Sequence, residues 1–340
     1  MIKIVGDCNF ADGFFDSGYG IGSRIKKGMN PFRHIKSSSD DFWIGNFECV
    51  CSDVSNKTGI EARQFIIHPD ACKNVSHCDL YGVANNHVMQ HGEEAYRHLL
   101  DYLDANGISH VGDLDHKCVT FSHQNKQIGV MAFSQRPDNF SKNPRYWCLP
   151  EYQDVINEYE KIKACDFKIV FVHWGNEFMN RPYTDQIQFA HFLVASGFDL
   201  VVGMHPHILQ GYEIYQGKHI FYSIGNCVFN MAWEPAKYAM MVNVDFNKEN
   251  IVSYEYLHID EDFSPRYVQS VPSDYTMEHL NALLNKTIDQ ETYYYRLFKR
   301  KKKYKKANRK NIIKKLYKLK PTVVYELLVN FLKRKGYFRQ

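Results

Sequence analysis

Short apolar runs, rich in β-branched residues, recur through the first two thirds of this chain, and they stop on residues able to bind a cation. Residues 2–5 end at Gly6-Asp7, and 42–44 end at Gly45-Asn46-Phe47-Glu48. Residues 80–84 end at Asn85-Asn86-His87, 167–172 at His173-Trp174-Gly175, and 200–202 at Gly203-Met204-His205-Pro206-His207. Runs of this kind read as strands covered on both faces, the layout of an α/β protein. In such sheets ligands collect at the carboxyl ends of strands, because the loops there converge above one edge. A His after a strand, an Asp capping a turn or an Asn-Asn turn is commonplace taken singly. Metal-competent groups at five strand ends are much harder to ascribe to coincidence.

Between these runs the pattern turns helical. Gly92 opens a helix that places Ala95, Tyr96, Leu99, Leu100 and Leu103 on one face, and Gly107 closes it. A second helix is predicted over 151–164. A third, capped by Thr184, carries Ile187, Ala190, Leu193 and Val194 and stops at Gly197. Residues 119–122 and 128–133 predict a hairpin. The segments 212–215, 219–222, 239–246 and 251–259 look antiparallel, so the sheet is mixed. A chain of 340 residues admits one large domain with an appendage, or two ordinary domains. Its character changes between 261 and 273, which divides it into a domain over 1–262 and a basic helical extension over 263–340.

The net charge of +4 conceals an asymmetry. From Arg296 onward there are 18 Lys or Arg and one acid, Glu326, whereas the residues before it hold 24 basic and 37 acidic side chains. An acidic body with a basic tail implies an anionic partner for the tail. Residues 293–320 interleave aromatics with cations, and Leu297, Phe298, Ile312, Ile313, Leu316 and Leu319 are candidates for a stripe on a basic helix. Such a helix suits an anionic membrane surface, where each cation contributes about 1 kcal/mol. Nucleic acid is the other anionic partner, and a solvated extension is the plain alternative. Pro321 breaks the pattern, and 323–332 resumes it as a short amphipathic helix that packs back on the body. There is no apolar stretch near the roughly 18 residues of a membrane span, and the start does not resemble a secretory signal. Nine irregularly spaced cysteines without a Cys-x-x-Cys pair read as reduced thiols. The expected location is cytoplasmic, peripheral on the inner face of the membrane.

Carboxylate, amide oxygen and imidazole together suit manganese, iron or zinc better than a thiolate-loving ion. The proline between His205 and His207 stiffens the loop that presents both rings. Asp7, Glu48, Asn86, His173, His205 and His207 are therefore the candidate metal ligands. A pair of divalent ions would lower the pKa of bound water toward about 7 and so support hydrolysis, of a phosphoester in the first instance. The remaining histidines, including His68, His91, His110 and His191, read as structural or solvated.

Taken in order, Gly6-Asp7, Gly45-Asn46-Phe47-Glu48, Ala84-Asn85-Asn86-His87, His173-Trp174-Gly175, His205-Pro206-His207 and Tyr222-Ser223-Ile224-Gly225-Asn226 resemble the CapA family. These are bacterial poly-γ-glutamate and capsule synthesis proteins with a calcineurin-like metallophosphoesterase fold. The resemblance covers residues 1–246. It implies a mixed β-sandwich flanked by α-helices, with one dinuclear site at the strand ends. It further implies that Asp7 and His207 serve one ion, that Asn86, His173 and His205 serve the other, and that His87 is a catalytic acid or transition-state donor. The function implied is metal-dependent hydrolysis in capsule or surface-polymer biosynthesis, on an anionic polymer or phosphoester. A non-catalytic polymer-assembly component using the same cleft is the alternative, and a nuclease or nucleic-acid binder a second. Two positions depart from the wider metallophosphoesterase pattern. Asn9 stands where a His is usual, and Asn46 stands where the bridging Asp is usual, which leaves Glu48 to supply that carboxylate.

Overall fold

In the computed structural model, which describes residues 1–13, 16–73, 75 and 77–334, the apolar runs become the centres of two sheets. The first has Ile2–Cys8 in its middle, parallel to Phe42–Phe47 on one side and antiparallel to Tyr238–Val244 on the other. It continues through Leu80–Gly82 to Ser109–Val111 in one direction and through Val252–Ile259 to Pro265–Val268 in the other. The short strand Asn226–Val228 also pairs with Ile2–Cys8, in parallel. The second sheet runs Tyr212–Tyr215, Lys218–Phe221, Leu200–Met204, Phe167–His173, Lys126–Ser134, Cys118–His123. Parallel pairs fill its centre and antiparallel hairpins form both margins.

Alternation along each strand decides the layering. Ile2, Ile4 and Ile44 from the first sheet meet Ile128, Val130, Ile169, Phe171, Leu200 and Val202 from the second in one buried cluster. Val170, Val172 and Val201 point the other way, against Phe189, Ala190 and Leu193 of the helix Thr184–Ser196 and Val155 of the helix Tyr152–Tyr159. On the far side of the first sheet, Val5, Trp43 and Tyr81 pack with Tyr96, Leu99 and Leu103 of the helix Glu93–Ala105. A side-chain period of two with both faces covered accounts for the unbroken apolar runs. The expected mixed β-sandwich flanked by helices is what the chain forms.

Several local expectations shift. The helix expected over 151–164 is regular only through Tyr152–Tyr159. Thr184 is the first helical residue and not the cap, a place taken by Tyr183 without a side-chain bond. Gly107 and Gly197 terminate their helices with φ of 66° and 115°, as a left-handed stop requires. The strand Pro265–Val268 lies beyond residue 262 yet extends the first sheet. The helix Met277–Leu284 is tied to both sheets, through Tyr256 Oη accepting from Met277 N at 2.8 Å and Asn281 Oδ1 accepting from Tyr212 N at 2.8 Å.

The basic segment forms one helix, Gln290–Lys315, followed by Pro321–Arg334; the last six residues of the extension lie outside the described part. Its apolar residues do not make a single stripe. Tyr293, Leu297, Tyr304 and Ala307 turn inward against Met179, Phe178 and Trp233, whereas Phe298 and Ile313 face solvent. Leu319 and Val323 are buried against Ile60, and Arg63 pairs with Glu326 at 3.2 Å, so the terminal helix does pack back on the body.

Candidate metal centre

Parallel register brings the polar strand ends to one rim. Asp7 lies beside Asn46 on one side and Asn226 on the other, and Met204 lies beside His173. The strands run closer together here than side chains allow, because a Cβ on Gly6 would stand 1.9 Å from the carbonyl oxygen of Gly225. Glycine is thus fixed at the position before Asp7 by the approach of a neighbouring backbone.

Glu48 stands at the middle of the group. It is fully buried, and neither carboxylate oxygen has a hydrogen-bond partner. Its Oε1 lies 3.8 Å from His173 Nε2, 3.8 Å from His207 Nε2 and 4.0 Å from His87 Nε2. Asp7 Oδ2 lies 3.4 Å from His207 Nδ1 and accepts from the backbone N–H of His205 at 3.1 Å. His173 Nε2 lies 2.7 Å from Asn86 Oδ1 and 3.0 Å from His205 Nδ1. Two sets of potential ligands result, Asp7-Glu48-His207 and Glu48-His173-His205, with Glu48 common to both.

The electrostatics follow from burying so many charges in one place. Burial, reinforced by Asp7, holds the Glu48 carboxyl well above the ordinary range. Burial alone would depress His207, but Glu48 and Asp7 outweigh it and push the ring up to about 10. Burial would raise Asp7 too, yet the hydrogen bond and charge of His207 hold it below its usual value. Burial takes His173 down to about 3 and His205 well below its usual value. Without a cation the group is two buried carboxyls among imidazoles, one of them without a hydrogen-bond partner, a costly arrangement in an apolar interior. The unpartnered oxygens of Glu48, with His173 Nε2 and His207 Nε2 each 3.8 Å from Oε1, fit a bound divalent metal.

The backbone carries strain at the same place. His205 and His207 have φ of 92° and 59°. Each such residue costs on the order of 1–3 kcal/mol, and strain of this kind concentrates at functional sites.

The structure thus gathers all seven residues singled out in the sequence. Asn46 does not present a free oxygen to the centre: its Nδ2 donates to Asp7 Oδ1 at 2.8 Å and its Oδ1 accepts from Asn85 Nδ2 at 3.1 Å. Asn9 closes a turn, its Oδ1 accepting from Ala11 N at 3.0 Å. His87 stacks on Phe65 with centroids 3.7 Å apart and planes 4° apart, and its Nδ1 lies 2.8 Å from Gln90 Oε1. With that partner Nδ1 carries the proton and Nε2 is an acceptor, so a donor role at Nε2 requires Gln90 to present its amide nitrogen instead.

The residue without an assigned role in the sequence reading is Asn226. Its Oδ1 lies 2.9 Å from His207 Nδ1, and its Nδ2 donates to the backbone oxygens of His207 and Ala236 at 3.2 and 2.9 Å. This orients the ring and leaves Nε2 toward Glu48. Asn226 was visible as the last residue of Tyr222–Asn226, but nothing in that segment says which side chain it would hold. Phe65 and Gln90 carry no sequence signal of their own.

Carboxylate, amide and imidazole groups thus converge at one rim of a two-sheet α/β sandwich. Residues 1–231 match the model of the bacterial capsule synthesis protein PGA_cap, and the chain belongs to that family. It is 27% identical over 282 residues to the capsule biosynthesis protein CapA of Bacillus anthracis, covering 74% of this chain and 67% of that protein. It is 29% identical over 187 residues to the PGA biosynthesis protein CapA of Bacillus subtilis, covering 52% of this chain and 49% of that one. The chain therefore spans about two thirds of the length of the first of these relatives and about half of the second. Among solved structures, a 5′-nucleotidase from Candida albicans aligns with a TM-score of 0.49 and 13% identity, over 90% of this chain and 57% of its own.

Proposed function

We propose that this chain is a divalent-metal-dependent hydrolase of phosphoester type that acts in the biosynthesis of a capsule or other surface polymer. The observation carrying this is Glu48, a buried carboxylate with no hydrogen-bond partner, placed between Asp7 and His207 on one side and His173 and His205 on the other. Asp7, Glu48 and His207 would hold one ion, and Glu48, Asn86, His173 and His205 the second, each of them manganese, iron or zinc. When bound, such ions lower the pKa of water toward about 7 and polarise a phosphoryl oxygen. His87, held by Phe65 and Gln90, would orient the substrate at the centre. The involvement in polymer synthesis is drawn from the names of the relatives.

Purified protein is expected to carry about two equivalents of transition metal at this centre and to turn over p-nitrophenyl phosphate or its diester. Removing the metal with a chelator is expected to lower stability by about 2.7 kcal/mol per ion for metal held at 100 times its Kd. Metal analysis showing no manganese, iron or zinc would sink the reading. The turn closed by Asn9 favours one specific alternative, a polymer-assembly component that uses the cleft only to bind. Bound metal without turnover on any phosphoester, together with affinity for an acidic polymer, would select that alternative.

The basic helix suggests a membrane contact. Opposite its docked face, Tyr295, Phe298, Lys302, Lys305, Lys306, Arg309, Ile313 and Leu316 are all exposed at helical spacing. Among the described basic residues of this helix, only Lys301 has a carboxylate within 4.0 Å, that of Glu177. No helix among the described residues is long and apolar enough to cross a membrane, so the contact would be peripheral. Sedimentation with phosphatidylglycerol vesicles is expected to be salt-sensitive. It should weaken by at least roughly 100-fold when Lys302, Lys305, Lys306 and Arg309 become Ala, at about 1 kcal/mol per charge. Equal binding to neutral vesicles would exclude this contact, and salt-steep binding to DNA without vesicle binding would reassign the helix to nucleic acid.

A further inference from the structure

We propose that His110, Asp113 and His116 form a separate zinc site at the end of the edge strand Ser109–Val111. Both imidazoles aim Nδ1 at the same carboxylate oxygen, Asp113 Oδ2, at 2.7 Å from His110 and 3.2 Å from His116. The rings arrive from different directions, with planes 88° apart and centroids 4.9 Å apart. The ligand atoms all lie within 4.8 Å of one another. Ligands on zinc arms of about 2.0–2.1 Å sit about 3.3 Å apart in a tetrahedron, so the two imidazole–carboxylate separations would widen by up to about 0.6 Å around the ion.

Two further features match a built site. The far nitrogen of His110 faces Asp104 Oδ1 at 3.1 Å, an outer carboxylate of the sort that fixes the tautomer and strengthens a histidine ligand. The loop is also held before any ion arrives. Asp113 Oδ1 accepts from the backbone N–H groups of Asp115 and His116, both at 2.7 Å, which leaves Oδ2 to the two rings. Gly112 N donates to the carbonyl oxygen of His116 at 2.7 Å, and Gly112 has φ of 102°. Two imidazoles and one carboxylate are a zinc-type donor set with a fourth position for water, on the side where the His116 side chain is 54% exposed. The ion takes the place of the protons now lying between each imidazole and Asp113. Through Asp104 it ties the last turn of the helix Glu93–Ala105 to the strand that follows.

This site is independent of the centre around Glu48. Zinc is titrated into full-length protein against a chromophoric chelator, with metal analysis, for wild type and His116→Ala; the exposure of His116 makes that change compatible with folding. His116→Ala is expected to lose one equivalent of micromolar or tighter zinc while phosphoester turnover and circular dichroism stay unchanged. Asp104→Asn is expected to keep the equivalent but bind it about 10- to 100-fold more weakly. In a Glu48→Gln background one zinc should remain, and His116→Ala should remove it. Identical stoichiometry and affinity in wild type and His116→Ala would overturn the proposal and leave the cluster as hydrogen-bonded imidazoles.

Discussion

Replacing Glu48 by Gln is expected to move catalysis and metal-free stability in opposite directions. Phosphoester turnover should fall by roughly 10³-fold, about 4 kcal/mol of transition-state stabilisation, and the two equivalents of metal at this centre should be lost. Glu48 is the residue shared by the two ligand sets, so neither retains a full complement without its charge. The chelated variant, in contrast, should be more stable than the chelated wild type by about 2 kcal/mol, because a neutral amide replaces a carboxylate buried without any hydrogen bond. The shape is preserved, so packing contributes little to either effect.

Denaturant melts in chelator and in excess manganese test this pair of signs. The order of stability should reverse between the two conditions, since the ion stabilises only the protein able to bind it. A variant less stable than wild type in both conditions would mean that Glu48 is satisfied in the metal-free protein. A variant that kept both metal and turnover would remove the central carboxylate from the proposed chemistry altogether.

Much of this arrangement was legible because strands carry their information in one dimension. An apolar run covered on both faces marks a buried strand, and the residue after it must emerge at a sheet edge, so Asp7, Glu48, Asn86, His173, His205 and His207 could be placed at one rim before their distances were known. Pairing between strands distant in sequence was not legible in the same way. Asn226 meets His207, and Phe65 meets His87, through register and loop packing that leave no periodic trace. The basic tail shows the same limit. Its charge was plain, yet the inward turn of Leu297 and Tyr304 depends on Phe178, whose ring lies 4.1 Å from Tyr304 and whose carbonyl accepts from Arg300 Nε. That tail is also joined to the centre, since Phe178 lies 6.3 Å from His207. The convergence of His110 and His116 on Asp113 carried no sequence signal, because that spacing has meaning only once the loop folds those side chains onto one oxygen.

Changing His87 to Ala is expected to separate chemistry from metal binding. His87 belongs to neither of the two ligand sets, although its Nε2 comes within 4.0 Å of Glu48 Oε1. Stacking on Phe65 and contact with Gln90 fix the ring from two sides, and 15% of the side chain stays open to solvent, so it can reach a substrate while its neighbours cannot. Burial takes the ring down to about 4, which makes it a neutral hydrogen-bonding group near neutral pH and not a fixed charge. A positioned group of this kind contributes roughly 10²–10⁴-fold in rate. Turnover should therefore fall by about that factor while metal content stays at the wild-type level. Phe65→Ala should reproduce part of the loss through a less ordered ring. If His87→Ala released an equivalent of metal in step with activity, the residue would be a ligand; if it left turnover intact, the substrate would not sit against this ring at all.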